Sequence, residues 1–271
     1  MEYLEFYKLK EDPFGITPDP DFFYPSKWHT EALQSMEYLI KKGEGFMLLT
    51  GDPGTGKTTL IRRFLNSLDS KIAPVVIYNS TLNPSELLKY IVKSITKRRT
   101  LSEAEDKVRL SDLLCKELMR RKKEGIKNLV IIDEAQDLPE ATLTELKHLS
   151  NIETDKEKLI HFILLAQPYF EDKLSKPEYS QINQRISLRV RLYHFDKEEV
   201  DSYIKFRIQR AGDVPISFEK GAVKRIYKAS RGIPRLINLI CSRALMVGYL
   251  ESSYLIKKSY VNSAIEHLNL K

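Results

Sequence analysis

Eight consecutive residues, Gly51-Asp52-Pro53-Gly54-Thr55-Gly56-Lys57-Thr58, match the spacing G-x-x-x-x-G-K-[ST] in full. Glycines let a backbone curl so that successive N–H groups face inward, where they hold phosphate oxygens. The Lys57 ammonium would neutralise β- and γ-phosphate charge, and the Thr58 hydroxyl would ligate Mg²⁺. A helix starting at Lys57 adds the positive end of its dipole. The nucleotide-binding set read this way is Asp52, Pro53, Gly54, Thr55, Gly56, Lys57, Thr58 and Thr59. A second constellation makes the chemistry hydrolytic. Leu129-Val130-Ile131-Ile132-Asp133-Glu134 is an apolar run ending in two acids. Asp133 is expected to hold Mg²⁺, directly or through its water shell. Glu134 is expected to orient and deprotonate the attacking water.

These residues need a frame. Phe46 to Thr50 is a short apolar run entering the glycine-rich turn, and reads as a buried strand. Lys57 to Leu68 follows as a helix. Ala73 to Asn79, Leu129 to Ile132, Leu159 to Ala166 and Leu188 to Phe195 read as further strands. Pro84 to Ile95, Lys107 to Lys123 and Pro139 to Ser150 read as helices between them. Strands alternating with helices imply a parallel, three-layer α/β domain. From Asp196 onward the pattern is helical: Glu198 to Ala211, Glu219 to Ser230, Pro234 to Tyr249 and Lys258 to Leu268. The N-terminal 25 residues, rich in proline and aromatics, suggest an ordered, irregular strap. Ser26 can cap a helix running through Lys42. The expected division is therefore a strap over 1–25 packed on the nucleotide-binding core, an α/β nucleotide-binding domain over 26–195 and a small all-α domain over 196–271.

Composition narrows the setting. The chain has 271 residues, 42% hydrophobic and 30% charged, enough for one or two soluble domains with real cores. A net charge of +7 favours acidic partners without choosing among them. The two cysteines, Cys115 and Cys241, have no second Cys or His at ligand spacing, and read as free thiols in a reducing compartment. No run of about 18 apolar residues occurs, so no transmembrane span is expected. The acidic, aromatic start does not resemble a signal peptide. A cytoplasmic location is expected, either for the whole protein or for the cytoplasmic part of a longer, membrane-anchored one.

The phosphate loop, the Asp133-Glu134 pair and the trailing helical domain together resemble AAA+ ATPases. Finer text resembles the ExeA/GspA group, ATPases associated with assembly of the type II secretion secretin. That text includes Asp12-Pro13-Phe14, Thr17-Pro18-Asp19-Pro20, Phe22-Phe23-Tyr24, Asp133-Glu134-Ala135-Gln136, Gln184-Arg185-Ile186 and Gly232-Ile233-Pro234-Arg235. Some of these pieces also occur in TnsC/TniB-like transposition ATPases, but the strap favours ExeA. The resemblance implies Mg²⁺-dependent ATP hydrolysis in a nucleotide-dependent homo-oligomer, ring or filament. Under it, Arg185 falls at the arginine-finger position, with Arg189 as second choice, and acts on a neighbouring subunit's γ-phosphate. Arg235 resembles the lid arginine called sensor 2. Asn79 resembles the polar residue that restrains the catalytic glutamate. Leu165-Ala166-Gln167-Pro168-Tyr169-Phe170 stands where the family tends to read LxGQPEL, leaving sensor 1 unassigned. His29 is a candidate for the adenine pocket. The implied partner is a secretion or membrane complex. Nucleic acid, as in transposition, is the less favoured alternative, suggested by Lys97-Arg98-Arg99 and Arg120-Arg121-Lys122-Lys123.

Overall fold

A computed structural model describes residues 2–78, 81–97, 106–155 and 157–270. The first elements are α1 (Glu2–Tyr7), α2 (Lys27–Lys42), β1 (Phe46–Gly51), α3 (Lys57–Asn66), β2 (Ile72–Ile77), α4 (Pro84–Thr96) and α5 (Lys107–Lys123). Next come β3 (Lys127–Ile132), α6 (Glu140–Leu149), β4 (Ile160–Ala166), α7 (Tyr169–Leu174), α8 (Ser180–Asn183) and β5 (Ile186–Leu192). The chain ends with α9 (Lys197–Ala211), β6 (Ser217–Phe218), α10 (Lys220–Ser230), α11 (Pro234–Leu250), β7 (Leu255–Ile256) and α12 (Lys258–His267). These elements form two compact units, neither continuous in sequence.

One unit comprises Thr30–Asp52 and Phe64–Leu192. Its sheet has the strand order β2-β3-β4-β1-β5, with every neighbour parallel. The central strands β1 and β4 are buried along their whole length, which explains runs such as FMLLT and IHFILLA with no polar alternation. The edge strand β5 alternates instead, with Arg189 and Arg191 exposed and Val190 and Leu192 buried. Helix α4 starts at a capping box, in which Asn83 and Glu86 satisfy each other's backbone N–H. It buries Leu87, Leu88, Ile91, Val92 and Ile95, and α5 faces the same core with Leu110, Leu114 and Leu118. The turn after α5 is held by buried Arg121, which donates to Asn128 Oδ1 at 2.9 Å and to the Ile95 carbonyl.

The other unit comprises Met1–His29, Pro53–Arg63 and Tyr193–Lys271. The proline-rich N-terminal segment packs here on α9 and α11. Buried Arg207 on α9 donates to the carbonyls of Pro13, Gly15 and Phe22, and its guanidinium lies 4.4 Å from the Phe22 ring centre. Asn238 on α11 accepts from Tyr203 at 2.8 Å and donates to the Gly15 carbonyl at 3.3 Å. An irregular segment has carbonyls with no ladder partner, and here side chains supply the donors. Phe22 and Tyr24 serve packing: Phe22 is buried, and Tyr24 meets Phe195, Tyr203 and Phe206 edge-on.

Several features depart from expectation. The N-terminal segment is not wholly irregular, since Glu2–Tyr7 is helical and the Tyr7 hydroxyl donates to Leu245 O at 3.0 Å. The helical C-terminal part also carries a parallel strand pair, β6 with β7. The short helices α7 and α8, between β4 and β5, add to the helices expected. As expected, both cysteines are free thiols: Cys115 is half-buried on α5, and Cys241 is fully buried on α11. No helix among the described residues is long and apolar enough to cross a membrane.

Candidate active site

The glycine-rich loop leaves β1 at Gly51 and enters α3 at Lys57. Gly54 and Gly56 have φ of +85° and +99°, values that side chains other than glycine rarely adopt. Both are also crowded. A Cβ on Gly54 would lie 2.8 Å from Arg235 Cβ, and one on Gly56 would lie 3.1 Å from His29 Nε2. Two loop carbonyls are taken. The Arg235 N–H donates to Gly54 O at 3.2 Å, and His29 Nε2 lies 3.0 Å from Thr55 O. A trans peptide points its C=O and N–H in opposite directions. The N–H groups of Thr55 and Gly56 are therefore directed to the face away from Arg235 and His29. That is the arrangement an oxyanion needs. Lys57 and Thr55 are buried, while Thr58 and Thr59 are half-buried at the helix start.

His29 is fixed by chemistry at both nitrogens. A carbonyl only accepts, so Nε2 carries the proton toward Thr55. Nδ1 then accepts from the Ser26 hydroxyl at 2.6 Å, and Ser26 Oγ also lies 3.4 Å from the His29 N–H it caps. Burial holds the His29 pKa at about 4, below the usual 6.5, with the Thr55 hydrogen bond offsetting part of that shift. Both ring nitrogens are engaged with protein, so His29 braces the phosphate loop and has no edge left for adenine.

The acid pair sits at the C-terminal end of β3. The Asp133 N–H donates to Ile77 O at 2.9 Å, continuing the ladder by one residue. Glu134 then turns left-handed, φ 50° and ψ 43°. For a non-glycine residue this costs about 1–2 kcal/mol, a kind of strain that collects at functional sites. Glu134 Oε2 accepts from Gln136 Nε2 at 2.6 Å. Gln136 Oε1 accepts from the Gln167 N–H, at the end of β4, at 3.1 Å. Lys173 on α7 donates to the carbonyls of Gln136 and Leu138 at 3.0 and 3.1 Å. Glu171, also on α7, accepts from Thr50 on β1 at 2.7 Å. The sequence reading missed these braces. Gln136, two residues beyond Glu134, had no spacing signal of its own; its partners Glu134 and Gln167 give it this place.

The remaining candidates fall as follows. Arg235 opens α11 behind Pro234, and its exposed side chain makes no ion pair with another described residue. Arg185 lies just before β5, where Nη1 donates to Ser150 Oγ at 3.3 Å. The β1–β5 register pairs Phe46 with Ile186 and Gly51 with Leu192. Arg185 is therefore at the opposite end of the strands from Gly51, about 20 Å of strand away. Arg189 is occupied by Asn183. Asn79 lies outside the described residues, as do Arg98 and Arg99. The Arg120–Lys123 run is largely consumed internally: Arg120 pairs with Glu117 and Glu124, Arg121 is buried, and Lys122 pairs with Glu157. Among the described residues no group of three or more His, Cys, Asp or Glu could cage a metal. Mg²⁺ bound with nucleotide needs no such cage, because one carboxylate, a hydroxyl and phosphate oxygens suffice. Thr58 and Asp133 each carry a hard oxygen donor of the kind Mg²⁺ takes.

Comparison with known proteins gives this arrangement a context. A family model described as an AAA domain matches residues 40–174. General secretion pathway protein A of Aeromonas hydrophila is 38% identical over 252 residues, which are 93% of this chain and 46% of that protein. The chain thus spans under half the length of that relative. Among solved structures, the Aeropyrum pernix ORC2 protein in its ADPNP-ADP complexes aligns with a TM-score of 0.70 at 18% identity, covering 95% of this chain and 71% of that one. Drosophila ORC bound to DNA aligns at 0.68 and 17%, covering 100% and 67%. The Thermotoga maritima RuvB Holliday junction branch migration motor aligns at 0.59 and 20%, covering 90% and 70%. At these identities the structural likeness speaks to the fold alone.

Proposed function

Because the chain belongs to the AAA+ ATPases, in the ExeA/GspA family, we propose that it binds ATP with Mg²⁺ and hydrolyses it in a site completed by a second copy of itself. The observation that carries this reading is the loop peptide geometry. Gly54 and Thr55 give their carbonyls to Arg235 and His29, which turns the next N–H groups to the other face, ready for phosphate oxygens. Asp52, Pro53, Gly54, Thr55, Gly56, Lys57, Thr58 and Thr59 form the cradle. Lys57 neutralises β- and γ-phosphate charge. Thr58 and Asp133 would each offer an oxygen to Mg²⁺, which would supply further neutralisation of the phosphates. Glu134 takes the proton of the attacking water, Oε1 being the oxygen that Gln136 leaves open. Arg235 reports the γ-phosphate to α11. Asn79 restrains Glu134 until a partner engages.

Arg185 acts on a neighbour. Its place at the far end of β5 from Gly51 favours service to another copy. The energy serves assembly of a secretion or envelope complex. That part rests on the 38% identity with general secretion pathway protein A. The internal pairing of Arg120, Arg121 and Lys122 leaves little of that run for a nucleic-acid backbone, which counts against the transposition alternative.

The test is direct. Lys57→Ala should lose nucleotide binding. Glu134→Gln should bind ATP like the parent and turn over about 10²-fold more slowly or worse. Parent-like affinity in the first variant, or parent-like turnover in the second, would refute the assignment.

A further inference from the structure

We propose that Gln136 is the positioning residue that aims the Glu134 carboxylate, and that it does so by tying Glu134 to the end of β4. The inference rests on the ATPase reading above and adds a residue to it.

The amide of Gln136 has one orientation that works. The Gln167 backbone N–H can only donate, and the Glu134 carboxylate can only accept. The side-chain oxygen must therefore face Gln167, at 3.1 Å, and the side-chain nitrogen must face Glu134, at 2.6 Å. A flip would set donor against donor and acceptor against acceptor. The second N–H of the same amide reaches Asp137 Oδ2 at 3.4 Å. Gln136 is 4% exposed, so water offers little competition for these bonds. Its own backbone is fixed as well, because Lys173 holds the carbonyls of Gln136 and Leu138. Positioning by Gln136 explains how a glutamate on a strained, left-handed turn keeps one orientation. Without that anchor, the half-buried side chain would sample several rotamers. The link also couples Glu134 to β4, so a displacement of the Gln167 end moves the general base.

Two variants separate positioning from mere support. Gln136→Glu keeps shape and keeps an acceptor for the Gln167 N–H, but removes the donor to Glu134. Gln136→Leu keeps approximate volume without adding charge, and removes both bonds. Steady-state ATP hydrolysis and equilibrium binding of a fluorescent ATP analogue are measured on the parent and both variants, with circular dichroism melting as the check on folding. Positioning predicts that kcat falls by about 10- to 100-fold in both variants, while nucleotide affinity and KM stay within about twofold. A Gln136→Glu protein with kcat within about twofold of the parent overturns the proposal, because bracing of β4 would then be the whole role. Loss carried by KM or by affinity overturns it too. If Gln136→Leu does not fold, Gln136→Glu decides alone. A parent chain that hydrolyses no ATP would instead defeat the functional reading, and this inference with it.

Discussion

Protonating His29 would place a charge in a pocket where its neighbours are Ser26, Thr55 and aromatic rings, and burial opposes it. The unfolded chain takes up that proton near pH 6.5, and the folded chain near pH 4. Between those values the unfolded state binds more protons, so stability rises with pH. The contribution is complete above pH 6.5, is lost as pH falls toward 4, and amounts to about 3 kcal/mol. Urea unfolding of parent and His29→Gln between pH 7 and 4 should show the parent losing more stability by about that amount. Equal slopes would remove His29 as the cause. At this scale the candidates that stand out in the sequence do so by pattern: Gly51, Gly56, Lys57 and Thr58 by a spacing that matches phosphate binding, Asp133 and Glu134 as two acids ending an apolar run. His29 and Gln136 do not. A single histidine in an amphipathic helix, or a glutamine after two acids, carries no spacing signal. Their roles come from partners 26 and 31 residues distant, Thr55 and Gln167.

Elements were read from periodicity, and all five strands of the large sheet fall where apolar runs predict. Their lateral order, β2-β3-β4-β1-β5, has no local trace, since it depends on which runs pair across the chain. The strap helix α1 and the β6–β7 pair were missed because six- and two-residue elements are set by tertiary partners, not by propensity. Gly232 marks an element joint where sequence and structure meet. Its φ is +77°, and an added Cβ would lie 2.0 Å from the Phe195 carbonyl oxygen, which belongs to backbone and cannot rotate away. Phe195 N–H in turn donates to Gly232 O at 2.9 Å. Gly232→Ala should destabilise the protein by about 2–4 kcal/mol and lower the melting temperature by roughly 4–16 °C. A parent-like melting curve would mean that this joint yields easily.

For the whole molecule, the decisive issue is whether one chain suffices. Arg185→Ala should spare ATP binding and slow hydrolysis about 10³-fold, the scale of a lost arginine finger. Lys57→Ala alone should be inactive as well. Mixed in equal amounts, the two should regain activity, because roughly a quarter of head-to-tail interfaces then join an intact loop to an intact Arg185. A mixture as inactive as its components would show that Arg185 serves its own chain or none. Reading the sequence could not reveal that the N-terminal 29 residues group with residues 193–271. That grouping rests on contacts such as Arg207 with Pro13 and Tyr7 with Leu245, separated by 194 and 238 positions.

The two thiols are divided between the compact units. Cys115 is half-buried in one, and Cys241 is sealed within the other, where burial pushes its thiol pKa well up. A water-soluble alkylating reagent can reach Cys241 only when the surrounding helices open, so its labelling rate times that opening. Cys241 is thus an intrinsic kinetic probe of its unit, with the partly accessible Cys115 as an internal reference, and mass spectrometry of the two modified peptides can follow how nucleotide changes that opening without an engineered cysteine.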